Sequence, residues 1–116
     1  VFENPENIIL ETDENYLKTI IRNLTGNAIQ ALNKTSDGVI TWKAHQENNS
    51  YFLSITDNGS GGTREEFKAL YDHSEVIGIK NGLGLHLIRD LANAINCKIE
   101  VVTALGSGTT FTILFQ

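Results

Sequence analysis

The sequence has no methionine, one cysteine, and only nine basic residues against fourteen acidic ones. A single cysteine, Cys97, excludes an internal disulfide framework and a multi-cysteine zinc site, and it suits a reducing compartment. The shortage of basic residues leaves a net charge of −5, so no general field draws nucleic acid or an anionic membrane toward the chain. Any phosphate it binds must be held by local devices. Crossing a bilayer takes an apolar run of about 20 residues, and none is present. With no methionine and Val1 at its start, the chain is expected to be a piece of a longer protein. Asn-x-Ser/Thr matches at Asn23, Asn33, Asn48 and Asn58 follow no signal peptide and are read as chance.

What remains is a globular balance, 41% hydrophobic and 20% charged, in 116 residues without repeats or low-complexity stretches. Residues 1–116 are therefore read as one continuous domain. Ile8–Thr12 is predicted to be a short strand, and Asp13 the N-cap of a helix running to about Lys34. Val39–His45 and Tyr51–Asp57 form an expected antiparallel hairpin across polar 46–50, with Ile40, Trp42 and Ala44 facing inward. Asn58-Gly59-Ser60-Gly61-Gly62 is a glycine loop, a short helix is expected over Thr63–Tyr71, and Asp72–Asn81 has no clear period. A second long helix runs from near Gly82 to about Asn96, with Leu85, Ile88, Leu91, Ala92 and Ile95 at helical spacing. Closing strands at Lys98–Thr103 and Thr109–Phe115 flank the turn at 104–108.

Three places carry chemistry beyond packing. Asn23 and Asn27 stack one turn apart at the edge of the first helix's apolar arc, although asparagine is a middling helix former. They are either solvated boundary residues or carbonyl oxygens pointed into a cleft, where a neutral oxygen can complete the shell of a Mg²⁺ held chiefly by substrate phosphates. Asp57 alternates onto the same inward face as Leu53 and Ile55, and its neighbourhood in sequence offers no Lys or Arg to offset burial of a carboxylate. It is either a strand-end turn residue or a ligand contact beside Gly59, Gly61 and Gly62, whose missing side chains admit a flat ligand. Gly82-Leu83-Gly84-Leu85 opens the last long helix, where bare amide groups and the positive dipole end suit phosphate. The dinucleotide fingerprint fails, because Leu87 takes the place of its third glycine; the P-loop pattern and a calcium loop at Asp57 fail as well. His45, His73 and His86 lack metal spacing, Cys97 reads as a small hydrophobe at a strand start, and nothing suggests a Ser-His-Asp or Cys-His nucleophile.

In combination and in order, these segments resemble the ATP-binding catalytic domain of sensor histidine kinases, within the wider GHKL ATPase group. Residues 13–17 through Asn23-Leu24-Thr25-Gly26-Asn27-Ala28 look like its N box, and Asp57-Asn58-Gly59-Ser60-Gly61 like its G1 box. Gly82-Leu83-Gly84-Leu85 looks like the G2 box, and Gly106-Ser107-Gly108-Thr109-Thr110-Phe111 like the closing glycine motif. The implied fold is a two-layer α/β (α+β) sandwich: a mixed, largely antiparallel sheet with helices on one face.

The resemblance implies that Asn27 coordinates Mg²⁺, Asn23 supports the phosphates of ATP, Asp57 accepts a hydrogen bond from the adenine amino group, and Thr109 helps hold adenine through water. Gly59 and Gly61 would make room for the base. Gly82 and Gly84 would form the hinge of an ATP lid, and Leu85, beginning the helix behind it, would lie beside the nucleotide and help bind it. Gln30 and Ala31 stand where relatives often carry a cation and an aromatic residue. Lys80 either replaces that charge or sits in solvent. The implied activity is transfer of the γ-phosphoryl group of Mg-ATP to a histidine on a separate dimerisation helix domain, with a response regulator downstream. By the same resemblance the chain is expected to be a cytoplasmic domain of a membrane-anchored sensor, without nucleic-acid or direct membrane contact. Two other readings stay open: a degenerate domain serving nucleotide sensing or protein contact, and a serine-directed anti-sigma kinase of the same superfamily.

Overall fold

A computed structural model describes residues 2–4, 12–33, 35–62 and 85–115. Its elements are β1 (Phe2–Glu3), α1 (Glu14–Ala31), β2 (Ile40–Glu47), β3 (Ser50–Asp57), α2 (Leu85–Ala94), β4 (Cys97–Ala104) and β5 (Gly108–Phe115). The sheet order is β1-β2-β3-β5-β4; β1 runs parallel to β2 and every other pairing is antiparallel. Both helices pack on one face, the expected two-layer arrangement.

Local chemistry accounts for the element ends. Asp13 has extended backbone angles (φ −69°, ψ 108°) and its Oδ1 accepts the Tyr16 N–H at 3.0 Å, capping α1 as expected. The helix closes at Ala31, short of the expected Lys34, because its last turn tightens: the Leu32 N–H bonds back to Ala28 and Ile29 together. The β2–β3 connection is shorter than polar 46–50 suggested. Only Asn48 and Asn49 lie outside the strands, both with positive φ (51° and 65°), a conformation asparagine tolerates and a two-residue hairpin turn requires. A strand at Phe2–Glu3, β1, was not expected; of the expected strand Ile8–Thr12, residues 8–11 lie outside the described residues and Thr12 is not in a strand. The expected helix at 63–71 and the lid at 72–81 lie outside the described residues.

Register turns the inward face into cross-strand rows. Trp42, Ile55, Phe111 and Val101 form one; Ala44, Leu53, Ile113 and Ile99 the next; Tyr51, Phe115 and Cys97 a third. Against them lie Ile20, Leu24 and Ala28 of α1 and Leu85, Ile88 and Ala92 of α2, on the faces their spacing predicts. Each large side chain so buried contributes about 1.5–3 kcal/mol. The fourth row breaks the pattern. It comprises Ile40, Asp57, Thr109 and Thr103, and so places three polar residues on the helix-facing side at one end of the sheet.

Candidate functional site

Asp57 is 3% exposed and Thr109 6%. Asp57 Oδ1 accepts the Gly59 N–H at 2.9 Å, and the Thr109 N–H bonds to the same side chain. Burial still dominates and holds the Asp57 carboxyl above the ordinary aspartate value, against the opposing pull of those two amides. Among the described residues Asp57 joins no ion pair. A carboxylate has about four lone-pair sites, so two amide donors leave acceptor capacity for a ligand.

The loop beyond Asp57 is fastened on three sides. Asn58 Oδ1 accepts the Val39 N–H at 2.7 Å, and its Nδ2 donates to the Asp37 carbonyl at 2.9 Å, tying the loop to the segment entering β2. The Ser60 carbonyl accepts the Gly106 N–H at 2.7 Å, and the Gly62 N–H donates to Thr103 Oγ1 at 2.8 Å, tying it to the β4–β5 hairpin. On the third side the loop presses on the end of α1: a Cβ on Gly59 would lie 2.5 Å from the Ala31 carbonyl oxygen. Gly61, at φ +66°, has no room for a Cβ beside the Ala104 carbonyl. At both glycines the missing side chain is accounted for by close approach of protein backbone.

That contact brings α1 into the site. Asn23, Asn27 and Ala31 follow one another at i, i+4 spacing, so the asparagine row leads to the point where the helix meets Gly59. Both asparagines are half-buried. Asn23 Nδ2 donates to the Thr19 carbonyl one turn back at 2.9 Å, which commits one of its two N–H donors to the helix and directs the amide through that bond. Asn27, Asp57, Gly59, Gly61 and Thr109 thus lie toward one end of the fold, while Asn23 is about two turns back along α1 from the contact with Gly59. Lys80, Gly82 and Gly84 lie outside the described residues. Leu85, expected beside the ligand, places its side chain in the core at 1% exposure.

Two residues outside the expected set hold the site. Asn58 stands inside the quoted motif, but its bonds to Asp37 and Val39, some twenty residues earlier, could not be read from local spacing. Thr103 was legible in principle, because a hairpin centred on Gly106 pairs 103 with 109. Asn58→Ala is expected to lower stability by about 1–2 kcal/mol through loss of two backbone tethers, measured by urea denaturation; Asn58→Asp, which keeps only the acceptor, should fall between.

Among the described residues, two other reactive side chains are held by packing. Burial pushes the Cys97 thiol up to about 11, so it stays protonated and unreactive near neutrality. His45 stacks on Phe52 with ring centroids 4.8 Å apart. Among the described residues no three His, Cys, Asp or Glu side chains gather as a metal site, and no helix is long and apolar enough to cross a membrane.

Residues 12–116 match the family described as histidine kinase-, DNA gyrase B-, and HSP90-like ATPase. The chain is 29% identical over 105 residues to sensor histidine kinase ZraS of Escherichia coli (strain K12), an alignment covering 90% of the chain and 22% of that protein. It is 30% identical over 117 residues to sensor histidine kinase YvrG of Bacillus subtilis (strain 168), covering 96% and 20%. It is 31% identical over 100 residues to the C4-dicarboxylate transport sensor protein DctB of Rhizobium meliloti (strain 1021), covering 84% and 16%. The chain thus spans about a fifth of the length of these relatives. Among solved structures, the catalytic domain of histidine kinase ThkA superposes with a TM-score of 0.79 at 21% identity, covering 98% of this chain and 74% of that one. The mycobacterial sensor histidine kinase MprB gives 0.70 at 21% identity, covering 89% and 71%. At such identities these two likenesses concern the fold.

Proposed function

The chain belongs to the histidine kinase-, DNA gyrase B-, and HSP90-like ATPase family, and from that premise we propose that it binds Mg-ATP at the end of the sheet marked by Asp57 and Thr109. The observation that carries the reading is Asp57: a buried carboxylate, raised by burial, held by two backbone amides and retaining acceptor capacity. An exocyclic amine on a flat base is the complement of such a group. Thr109 lies beside it, and Asn27 lies one turn from the loop, toward the phosphate end. The donor set suits Mg²⁺ only in company with phosphates, since one neutral amide oxygen cannot hold the ion alone. Asn27 would supply that oxygen, Asn23 would support the phosphates, and Lys80, Gly82 and Gly84 would close over them. The metal, when bound, neutralises charge on the transferring phosphoryl group.

In the longer protein the acceptor is a histidine on a separate dimerisation helix domain, with a response regulator downstream, and the domain works in the cytoplasm behind a membrane-anchored sensor. The sensor histidine kinases among the relatives support this choice over a serine-directed kinase.

Calorimetric titration of the folded chain with Mg-ADP and a nonhydrolysable ATP analogue tests the site. Saturable binding with preference for adenine over guanine is expected. Absence of binding would overturn the reading and favour a protein-contact module. Asn27→Ala should weaken Mg-ATP binding by on the order of tenfold or more, since even the loss of an outer partner of a metal ligand has that effect, while adenosine binding changes little. Equal losses for both would point to general damage to α1.

A further inference from the structure

Thr103 has no assigned part in the site, yet its hydroxyl is the junction of three segments that build it. It accepts the Gly62 N–H at 2.8 Å, lies 2.8 Å from Thr109 Oγ1, and reaches the Gly108 carbonyl at 3.3 Å. Thr103 and Thr109 are directly paired across β4 and β5, and Thr109 is paired with Asp57 across β5 and β3, so the three form one row on the inward face.

A hydroxyl has one proton and two acceptor lone pairs. The Gly62 amide occupies one lone pair of Thr103, and the proton is left with two destinations. Given to Thr109 Oγ1, the better contact by distance, it leaves the Thr109 proton free for a ligand or a bridging water. Given to the Gly108 carbonyl, it lets Thr109 donate to Thr103 and leaves Thr109 only as an acceptor toward the ligand. Thr103 therefore governs what hydrogen-bonding group Thr109 presents beside Asp57. The same oxygen fixes Gly62, where the glycine loop leaves the described part of the site.

We propose that Thr103 is a positioning residue for base recognition: its hydroxyl orients the Thr109 hydroxyl and anchors the glycine loop, so that affinity and base selectivity depend on a side chain with no ligand contact of its own. The inference rests on the reading of Asp57 and Thr109 as the base-binding pair. Its packing role and its hydroxyl role separate by substitution. Thr103→Val keeps the β-branched shape and removes the hydroxyl, while Thr103→Ser keeps the hydroxyl and removes the methyl group.

The experiment measures Mg-ADP and Mg-GDP affinities of the chain and these variants by calorimetry, with thermal denaturation run on each. Thr103→Val is expected to lose about five- to tenfold in Mg-ADP affinity, the loss of one or two net hydrogen bonds, and to narrow the ADP-to-GDP ratio. Thr103→Ser should restore both to within about twofold, whatever its thermal midpoint. Should Thr103→Val fail to fold, Thr103→Ala serves in its place, again judged against Thr103→Ser. The proposal is overturned if the hydroxyl-free variant binds with unchanged affinity and ratio, or if Thr103→Ser loses as much as Thr103→Val. A wild-type chain that binds no Mg-ADP, or an Asp57→Asn variant that binds as wild type, overturns the underlying reading instead.

Discussion

Asp57→Asn is expected to lose Mg-ADP affinity by about 1–3 kcal/mol, roughly 5- to 150-fold, while gaining stability in the absence of nucleotide at neutral pH. The two effects have one cause. A carboxylate facing an exocyclic amine accepts its hydrogen; the amide of asparagine, oriented so that its oxygen still accepts the Gly59 N–H, turns an NH₂ toward that amine and sets donor against donor. A base carrying a carbonyl in the amine's place meets no such conflict, so Mg-GDP affinity should hold or rise as Mg-ADP affinity falls. Calorimetry with the two nucleotides checks this, and parallel losses for both would overturn the assignment of Asp57 to base recognition.

The stability gain follows from the raised Asp57 carboxyl. In the unfolded chain an aspartate titrates near ~3.9. In the fold it titrates higher, so the folded state favours the protonated form. The stabilisation that Asp57 contributes is therefore fully present below the unfolded value and is lost as pH rises through the folded one. Once ionised, Asp57 is a buried charge that the fold would prefer neutral. Asp57→Asn escapes that penalty, so its advantage over wild type should be largest near neutral pH and shrink toward pH ~3. Thermal denaturation across that range would reveal it; a difference that does not vary with pH would mean that charge burial is not its source. A residue kept at some loss of stability is the pattern expected where function sets the choice.

How far the sequence reached depended on the range of the interactions involved. The Asp13 cap, the apolar arcs of both helices and the inward alternation of β2 and β3 are set within a turn or a strand, and each was readable. The inward placement of Asp57 came from the same alternation. Less accessible were features created by segments distant in sequence: the parallel pairing of Phe2–Glu3 with β2, the Asn58 tethers, and the end of α1, where Ala31 meets Gly59. Glycines 59 and 61 illustrate the limit. Their presence beside an aspartate was plain and suggested space for a ligand, but only the fold reveals the carbonyls of Ala31 and Ala104 where their side chains would be.

Gly61→Ala should therefore be among the most destabilising single-methyl additions in this chain, by about 3 kcal/mol or more, whereas Gly26→Ala should stabilise by about 0.5–1 kcal/mol. The chemical change is the same and the surroundings decide its sign. Gly26 lies within α1 on an exposed face, where a Cβ would have no heavy atom within 4 Å, so alanine only restricts the unfolded chain and improves helix propensity. Gly61 has φ +66°, a left-handed conformation that strains an L-residue by roughly 1–2 kcal/mol. Its Cβ would also press against the Ala104 carbonyl and come within 3.0 Å of the Gly108 carbonyl oxygen, both backbone atoms of the hairpin that carries Thr103 and Thr109. Backbone cannot rotate aside as a side chain can. Relief must come from moving the loop off the hairpin, which would break the bonds from Gly106 to Ser60 and from Gly62 to Thr103. Urea denaturation of the two variants in the absence of nucleotide measures both signs. Gly61→Ala within about 1 kcal/mol of wild type would mean that the loop is not held against the hairpin as described.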